Sequence, residues 1–532
     1  MIYQKNNKAN IIHLVILIFS ALAIRVCAFH NTMMMNMDGT VYIHQARAIY
    51  HGLWGAISPC SGVDYLTLYT ILIAVVYPVA GNWMHAAMAV NLIFGTLMII
   101  PLYLFLRRFV DEKSSFVTSF IFAMLPVLVV QSVNVIRDPS FWFFSISGLY
   151  LLAYDDEKRT PYFLILSSLS FIIASATRVE GIVFIIGGCL YTMSVFKERR
   201  LKSTMIFLSP VLLFLCCFII VQLIGRPDKF YWYRFQEIPL IPISTLEKYR
   251  HIEAYLTKIF FDTPPGSMRG FIENSRTLIW FMAIGVIFQS ALEAFFYIFF
   301  LVFLLGLTGM SKRMRDDRRI LPLAITTMIS LVVLYVYCLN IWSMENRRLF
   351  MAILPSAIFV GFGTEKIISW MHKKFNLSAS AIVAIICVLI LLITLSKNLK
   401  IQEEDKLIFK EIGETVALLD GGTREIELMT LGNSSRWNNY YANLHVAGAP
   451  CPDKNDDWQK DTSIIGSGYE DFIRSMRRRN IRYVIWEENS WPRDKFVFLK
   501  SVRPDDLKQL REWKNRDTER IILYKVLYKK ES

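Results

Sequence analysis

Charged residues are scarce in this 532-residue chain. Asp, Glu, Lys and Arg together make up 19% of it, whereas 54% of its residues are hydrophobic. Soluble domains carry about 25% charged residues, and a soluble protein of this length could not cover so much apolar surface. The composition therefore excludes an ordinary soluble enzyme and predicts a polytopic helical membrane protein.

Signatures of several common sites are also missing. The eight cysteines are scattered, with no CxxC pair and no Cys/His spacing typical of zinc. The C-terminal region has no Gly-rich phosphate loop, so a nucleotide site is not indicated there. The apolar runs show no paired half-helices or repeat of hydropathy, which are typical of transporters built from inverted repeats.

The formal net charge of +14 is distributed unevenly along the chain. Residues 1–396 carry an excess of +12, and residues 397–532 an excess of only +2. The positive charge therefore does not form a basic nucleic-acid domain. It belongs to the part of the chain that contains the apolar runs.

About eleven apolar runs approach the length needed to cross roughly 30 Å of hydrocarbon. They lie near 10–29, 84–107, 113–131, 138–154, 161–176, 181–196, 204–225, 283–309, 319–342, 348–368 and 379–396. The first run could instead be a cleaved signal peptide, because Lys5 and Lys8 precede a short apolar core.

Lys and Arg cluster in alternate loops, which predicts that the N-terminus lies inside. This alternation holds only if the apolar stretch 65–80 does not cross, so we expect a helix in the outer interface there. The predicted organisation is a membrane domain over 1–396, with outer loops 30–83 and 226–280, and an outer-face domain over 397–532.

The C-terminal region has the mixed pattern of a small α/β domain. Apolar residues recur at helical spacing over 408–419, and Gly421-Gly422 is expected to end that helix. Strand-like runs follow at 425–431, 481–486 and 521–527, with an amphipathic helix at 469–479 between them.

Several ionisable residues fall at the outer ends of the predicted spans, where such residues usually have a partner or a task. They are Asp38, Arg137, Asp138, Arg178, Glu180 and Arg348. Each has a plainer explanation. Asp38 and Asp138 could cap helices, Arg178 and Glu180 could form a simple interfacial pair, and Arg347-Arg348 could snorkel toward headgroups. The inner acidic clusters 155–157 and 316–317 are interpreted as solvated loop charge.

Together these residues resemble the GT-C superfamily of membrane glycosyltransferases, in its branch of protein mannosyltransferases and lipid A aminoarabinose transferases (glycosyltransferase family 39-like). The resemblance rests on five segments in this order: Asp38 with Tyr42 and Ala46, 101–108, Val135-Ile-Arg-Asp-Pro139, Ala176-Thr-Arg-Val-Glu-Gly181, and 348–355. The chain departs from the branch at 62–69, which lacks a Lys-Pro-Pro motif, and at Val179, where the branch has proline.

The resemblance implies transfer of a sugar from a polyprenyl-phosphate donor to a hydroxyl acceptor (lipid, glycan or protein). The reaction would occur at the outer face of a bacterial inner membrane. Asp38 would be the general base, with Asp138 supporting or sharing that role. The residues implied to bind the donor phosphate are Arg137, Arg178 and Arg348; those implied to line the substrate path are Tyr42, Tyr65, Tyr69 and Glu180, with Glu180 orienting Arg178.

Three questions stay open at this level. A divalent metal ion would find two carboxylates in Asp38 and Asp138, but two carboxylates do not specify a site, so no metal is assigned. Cys60 and Cys451, the cysteines predicted outside, either form a disulfide or stay as thiols. The alternative functions are a transporter or flippase of lipid-linked glycans, and a membrane scaffold.

Overall fold

The computed structural model describes residues 7–57, 60, 67–154, 161–224, 233–421, 424–431, 434–446, 448–449, 451–452, 465, 468–492, 496–515 and 519–528. Tyr65 and the acidic cluster 155–157 lie outside these residues. The chain divides into two compact units. The first unit is Met1–Cys27, Asn91–Ser132 and Arg137–Leu399, and the second is Ala28–Val90, Val133–Ile136 and Lys400–Ser532.

Among the described residues up to 398, the regular elements are all helices. They are α1 Asn7–His30, α2 Met37–Tyr50, α3 Leu68–Ala80, α4 Trp83–Leu97, α5 Ile99–Leu106, α6 Glu112–Met124, α7 Pro126–Gln131, α8 Asp138–Tyr154, α9 Tyr162–Thr177, α10 Ile182–Val195, α11 Arg200–Ile224, α12 Tyr233–Asp262, α13 Ser267–Thr277, α14 Ile279–Ala294, α15 Ile298–Leu307, α16 Met310–Asp316, α17 Ile320–Ile341, α18 Phe350–Phe375 and α19 Ala379–Asn398. Each predicted apolar run corresponds to one of these helices or to a consecutive pair.

The protein is an integral membrane protein. Within the described residues, six helices are long and apolar enough to cross a membrane, or seven if the bent pair α13 and α14 counts as one span. The total of eleven crossings stays a prediction. Helix α3 has 13 residues, and a rise of about 1.5 Å per residue makes it about 20 Å long, which is too short for a straight crossing.

The predicted span 113–131 is broken in the middle. Helix α6 ends at Met124 and α7 begins at Pro126, because proline has no N–H to donate and its ring clashes with the preceding turn. Two carbonyl groups near the break accept hydrogen bonds from other helices of the first unit. Arg25 donates to the Ala123 oxygen at 3.0 Å, and Asn398 donates to the Met124 oxygen at 2.9 Å. The fully buried Arg25 thus has a structural task.

The predicted outer segment 226–280 is largely helical where it is described. Helix α12 fills Tyr233–Asp262 and α13 fills Ser267–Thr277. Helix α13 then meets α14 at an angle of 81°. The part described, from residue 233 onward, is therefore mainly helical, although the Pro- and aromatic-rich composition of the segment gave no helical signal.

The C-terminal region is the small α/β domain that the sequence predicts. Its elements are α20 Leu407–Asp420, β1 Leu428–Thr430, α21 Ser435–Ala442, α22 Tyr469–Arg478, β2 Tyr483–Glu487, α23 Phe498–Ser501, β3 Leu507–Asn515 and β4 Glu519–Val526. Gly421 ends α20 with a φ of 84°, a left-handed conformation that favours glycine. The sheet order is β1-β2-β4-β3; β1 and β2 are parallel, and the other pairs are antiparallel.

Candidate active site

Three helix junctions of the first unit bring their charged residues to one place. Asp138 begins α8, and Arg178 and Glu180 lie between α9 and α10. The third junction is the short turn before α18, preceded by Glu345 and containing Arg347 and Arg348. We call Arg137, Asp138, Arg178, Glu180, Glu345, Arg347 and Arg348 the arginine cluster.

Asp138 is the most buried acid of the arginine cluster. Its side chain is 2% exposed, its Oδ1 lies 2.5 Å from Nη1 of Arg178, and its Oδ2 lies 3.5 Å from Nη1 of Arg347. Pairing of this kind compensates the cost of burying a carboxylate. Asp138 therefore holds two arginines that are far from it in sequence, a larger task than helix capping.

The other two acids continue the network toward its more exposed side. Glu180 Oε1 lies 2.7 Å from Arg178 Nη2 and 3.3 Å from Arg348 Nη1. Glu345 Oε2 lies 2.9 Å from Arg347 Nε and 3.2 Å from Arg348 Nε. Arg347 and Arg348 are therefore engaged in ion pairs, which contradicts the interpretation that they merely snorkel.

Backbone packing fixes the turn that carries Arg178 and Glu180. Arg178 has extended dihedral angles, φ −145° and ψ 129°, which end α9. A Cβ atom on Gly181 would lie 2.6 Å from the backbone nitrogen of Ser175. Only glycine fits this turn, which explains the glycine at the end of the 176–181 motif.

The arginine cluster carries more positive than negative charge, with four guanidinium groups against three carboxylates. Burial alone would raise the pKa of Glu180, but the charges of Arg178, Arg348 and Arg137 lower it. Burial would likewise raise the pKa of Glu345, yet the hydrogen bond and charge of Arg347, with Arg348 and Arg178, lower it to about 2. Glu180 and Glu345 are therefore ionised at neutral pH.

A small pocket opens within the arginine cluster. Its lining residues are Asp138, Phe141, Arg178, Glu180, Leu334, Arg347, Arg348 and Met351. Three guanidinium groups border this pocket, which has room for about one water molecule, so it offers fixed donors for an anion but no space for a whole phosphate as the side chains stand.

Asp38 belongs to the second unit and lies in the first turn of α2. The cap of this helix is Asn36, whose side chain accepts a hydrogen bond from the Gly39 nitrogen at 3.2 Å. The interpretation of Asp38 as the helix cap is therefore wrong. Its side chain is 38% exposed, and its Oδ1 lies 3.5 Å from Nη1 of Arg436.

The two described tyrosines of the predicted substrate path are buried in the second unit. Tyr42 and Tyr69 meet edge to face, with ring centroids 5.6 Å apart, and the Tyr69 hydroxyl donates to the Ala87 oxygen at 3.1 Å. These contacts favour a packing role over a lining role. Tyr65, the third, lies outside the described residues.

Cys60 and Cys451 form a disulfide in the second unit. Both are buried and pack with Val41 of α2. The disulfide alternative of the sequence analysis therefore describes this structure. It joins the first outer loop to the C-terminal region.

Three residues of these networks were not predicted as site residues: Glu345, Arg347 and Arg436. A signal existed for the first two, since they stand beside Arg348. For Arg436 there was no signal, because it lies 398 positions after Asp38 in a helix that the sequence analysis missed.

Comparison with known proteins confirms the predicted resemblance to the GT-C superfamily. Residues 67–223 match the model of the dolichyl-phosphate-mannose-protein mannosyltransferase family. Among curated proteins, no sequence matches the chain. Several solved structures have a similar fold.

Two of these structures show how far the likeness extends. ArnT from Cupriavidus metallidurans, in its apo state, superposes with a TM-score of 0.57 at 12% identity, covering 97% of this chain and 98% of ArnT. The oligosaccharyltransferase from Archaeoglobus fulgidus, tethered to an acceptor peptide, superposes with a TM-score of 0.56 at 12% identity, covering 91% of this chain and 70% of that enzyme. The same ArnT has been solved with undecaprenyl phosphate, and the archaeal enzyme with dolichol-phosphate.

Proposed function

We propose that this protein, whose fold is that of the GT-C glycosyltransferases, transfers a sugar from a polyprenyl-phosphate donor to a hydroxyl group of a lipid, a glycan or a protein. The observation that carries the proposal is the arginine cluster. Three helix junctions place fixed guanidinium groups around one pocket, and two proteins of the same fold have been solved with polyprenyl phosphates. A binding site for a lipid phosphate fits both facts.

In the proposed reaction, residues of this chain stabilise the charge of the leaving phosphate and accept the proton of the acceptor. The acceptor oxygen attacks the anomeric carbon of the donor, and the bond from that carbon to the phosphate oxygen breaks. The phosphate leaves with one more negative charge, and Arg178 and Arg348 stabilise that charge. Asp38 accepts the proton of the acceptor hydroxyl.

Arg137 and Arg347 complete the set of phosphate-binding arginines. Asp138 acts as their organiser rather than as a second base. Its Oδ1 lies 2.5 Å from Arg178 and its Oδ2 lies 3.5 Å from Arg347, and its side chain is only 2% exposed, so an acceptor hydroxyl has little access to it. The sequence-based expectation was that Asp138 supports or shares the general-base role; the proposal gives that role to Asp38 and leaves Asp138 a supporting one.

The reaction is assigned to the outer face of a bacterial inner membrane. Loop charge supports this side of the membrane, and so does the Cys60–Cys451 disulfide, because disulfides form and persist in oxidising compartments. A cysteine-accessibility assay in intact cells, using a single Cys introduced at exposed Arg511, would test the side. Labelling by an impermeant reagent is expected, and labelling only after lysis would contradict the assignment.

Activity is tested with purified full-length protein in detergent and a panel of polyprenyl-phosphate sugars. We expect one donor to be consumed, with release of polyprenyl phosphate and a mass increase on an extracted acceptor. Donor consumption is also measured in Arg348→Ala. Its control is Arg511→Ala, which likewise removes one positive charge, from an exposed guanidinium. Movement of donor across proteoliposomes without consumption would instead support the flippase alternative.

A further inference from the structure

The C-terminal domain holds the helix that carries Asp38. Trp437 Nε1 donates to the Met35 oxygen at 3.0 Å, just before α2 begins. Arg47, near the end of α2, donates to the Val446 oxygen at 2.9 Å. Both ends of α2 are therefore tied to the C-terminal segment of the same unit.

The Cys60–Cys451 disulfide strengthens this attachment. Its two cysteines pack on Val41, one turn after Asp38. Gly39 adds a close contact within the second unit, because a Cβ atom there would lie 2.7 Å from Cβ of Val135. The first turn of α2 consequently has little freedom to shift.

Helix α21 directs one charged side chain toward this turn. Every residue of α21 is buried except Arg436. The neighbouring Trp437 stacks on Phe409 of α20, with ring centroids 5.6 Å apart and planes 4° from parallel. A helix anchored on so many of its residues presents Arg436 from a rigid base, and its guanidinium lies 3.5 Å from the Asp38 carboxylate.

We propose that Arg436 is a positioning residue for Asp38, and that the C-terminal domain is thereby a working part of the active site. The inference rests on the proposed function, in which Asp38 accepts the acceptor proton. Burial alone does not fix the orientation of a carboxylate that is 38% exposed. The Arg436 guanidinium contributes to fixing it, and the alignment of a base with its proton strongly affects the rate.

The test measures kcat and the KM for the donor in Arg436→Ala, Arg436→Lys and Arg511→Ala. In Arg436→Ala we expect kcat to fall about 10- to 100-fold, the scale that small misplacements produce, with an unchanged KM for the donor. Arg436→Lys should recover part of kcat, because it keeps the charge but not the fork-shaped guanidinium. Arg511→Ala, which breaks an exposed pair with Glu411 and a cation–π contact with Trp513, should behave as the unaltered protein.

The outcomes separate the inference from the function on which it rests. In Arg436→Ala, a raised KM for the donor with an unchanged kcat would mean that Arg436 binds the donor. Unchanged kcat and KM would mean that Arg436 neither binds the donor nor positions Asp38. Either result overturns the inference. If Asp38→Asn keeps full activity, the assignment of the base fails instead. In an Asp38→Asn background, Arg436→Ala should lower the residual kcat no further, since both act through one carboxylate. Comparable melting temperatures across the set exclude misfolding.

Discussion

Asp138 and Asp38 are both predicted catalytic carboxylates, yet the two units surround them very differently. Asp138, in the first unit, is 2% exposed and contacts two arginines. Asp38, in the second unit, is 38% exposed and lies beside one arginine at 3.5 Å. The accessible acid, Asp38, is therefore the one suited to accept a proton, while the buried acid, Asp138, is suited to hold cations in place.

The variant Asp38→Asn should distinguish the role of Asp38 from that of Asp138 most clearly. We expect kcat to fall by about 10²–10⁴, the contribution typical of a general base, while the melting temperature stays within a degree or two of wild type. Donor turnover and thermal unfolding of the same detergent-purified samples provide both numbers. Substantial turnover by this variant would show that another group accepts the proton.

Asp138→Ala should give the opposite pattern. Removing this acid leaves Arg178, 4% exposed, without its shortest ion pair, and breaking one partner of a buried pair costs about 3–5 kcal/mol of unfolding free energy. Thermal unfolding is the measurement, with Asp471→Ala, which removes an exposed ion pair, as the control. An unaltered melting temperature would contradict the role of Asp138 as organiser of the arginines.

The sequence predicted the helices well because membrane helices must satisfy their backbone internally, which leaves long apolar runs. It also pointed to Asp138, Arg178, Glu180 and Arg348, which the structure brings together in one ion-pair network, while their roles in the reaction stay predictions. It missed β3, because only Leu507 and Trp513 of that strand are buried and no alternation results. It missed Arg436 because a contact across 398 positions leaves no periodic signal.

The division between membrane helices and C-terminal domain was also hard to predict. A boundary at 396 follows from hydropathy, yet the first outer loop belongs to the same compact unit as Lys400–Ser532. Hydrogen bonds such as Trp437 to Met35 and Arg47 to Val446 create that grouping. Such side-chain to backbone bonds depend on tertiary packing, not on local pattern.

Removing the Cys60–Cys451 disulfide tests how firmly α2, the helix that carries Asp38, is held in place. Cys60→Ser with Cys451→Ser should lower the unfolding free energy by about 2–4 kcal/mol, the usual contribution of a native disulfide. It should also lower kcat less than Arg436→Ala does, since Trp437 and Arg47 still hold α2. Thermal unfolding and donor turnover under non-reducing conditions measure both effects. The variant Cys189→Ser, which changes a free cysteine, is the control, and equal stability of the two variants would contradict the prediction.

Glu487 supplies a third kind of acid, buried without an arginine among its hydrogen-bond partners. It is 1% exposed and accepts hydrogen bonds from Ser434 and Ser490. Burial raises its pKa to about 7, although the two hydroxyl groups oppose that shift. Burial thus favours the protonated form of Glu487, against its two hydrogen-bonding neighbours.

Because the pKa of Glu487 is raised, its contribution to the free energy of unfolding decreases as pH rises. Its pKa is higher in the folded than in the unfolded state, so its contribution is complete below about pH 4.5 and is lost as pH rises through about 7. Between these values the slope approaches about 1.4 kcal/mol per pH unit at most. Glu487→Gln, which resembles the protonated acid, should flatten this part of the melting-temperature profile between pH 5 and 8, whereas the exposed Glu411→Gln should leave it unchanged. An identical slope in wild type and Glu487→Gln would mean that the pKa of Glu487 is not raised in the folded protein, and that its burial does not favour the protonated form.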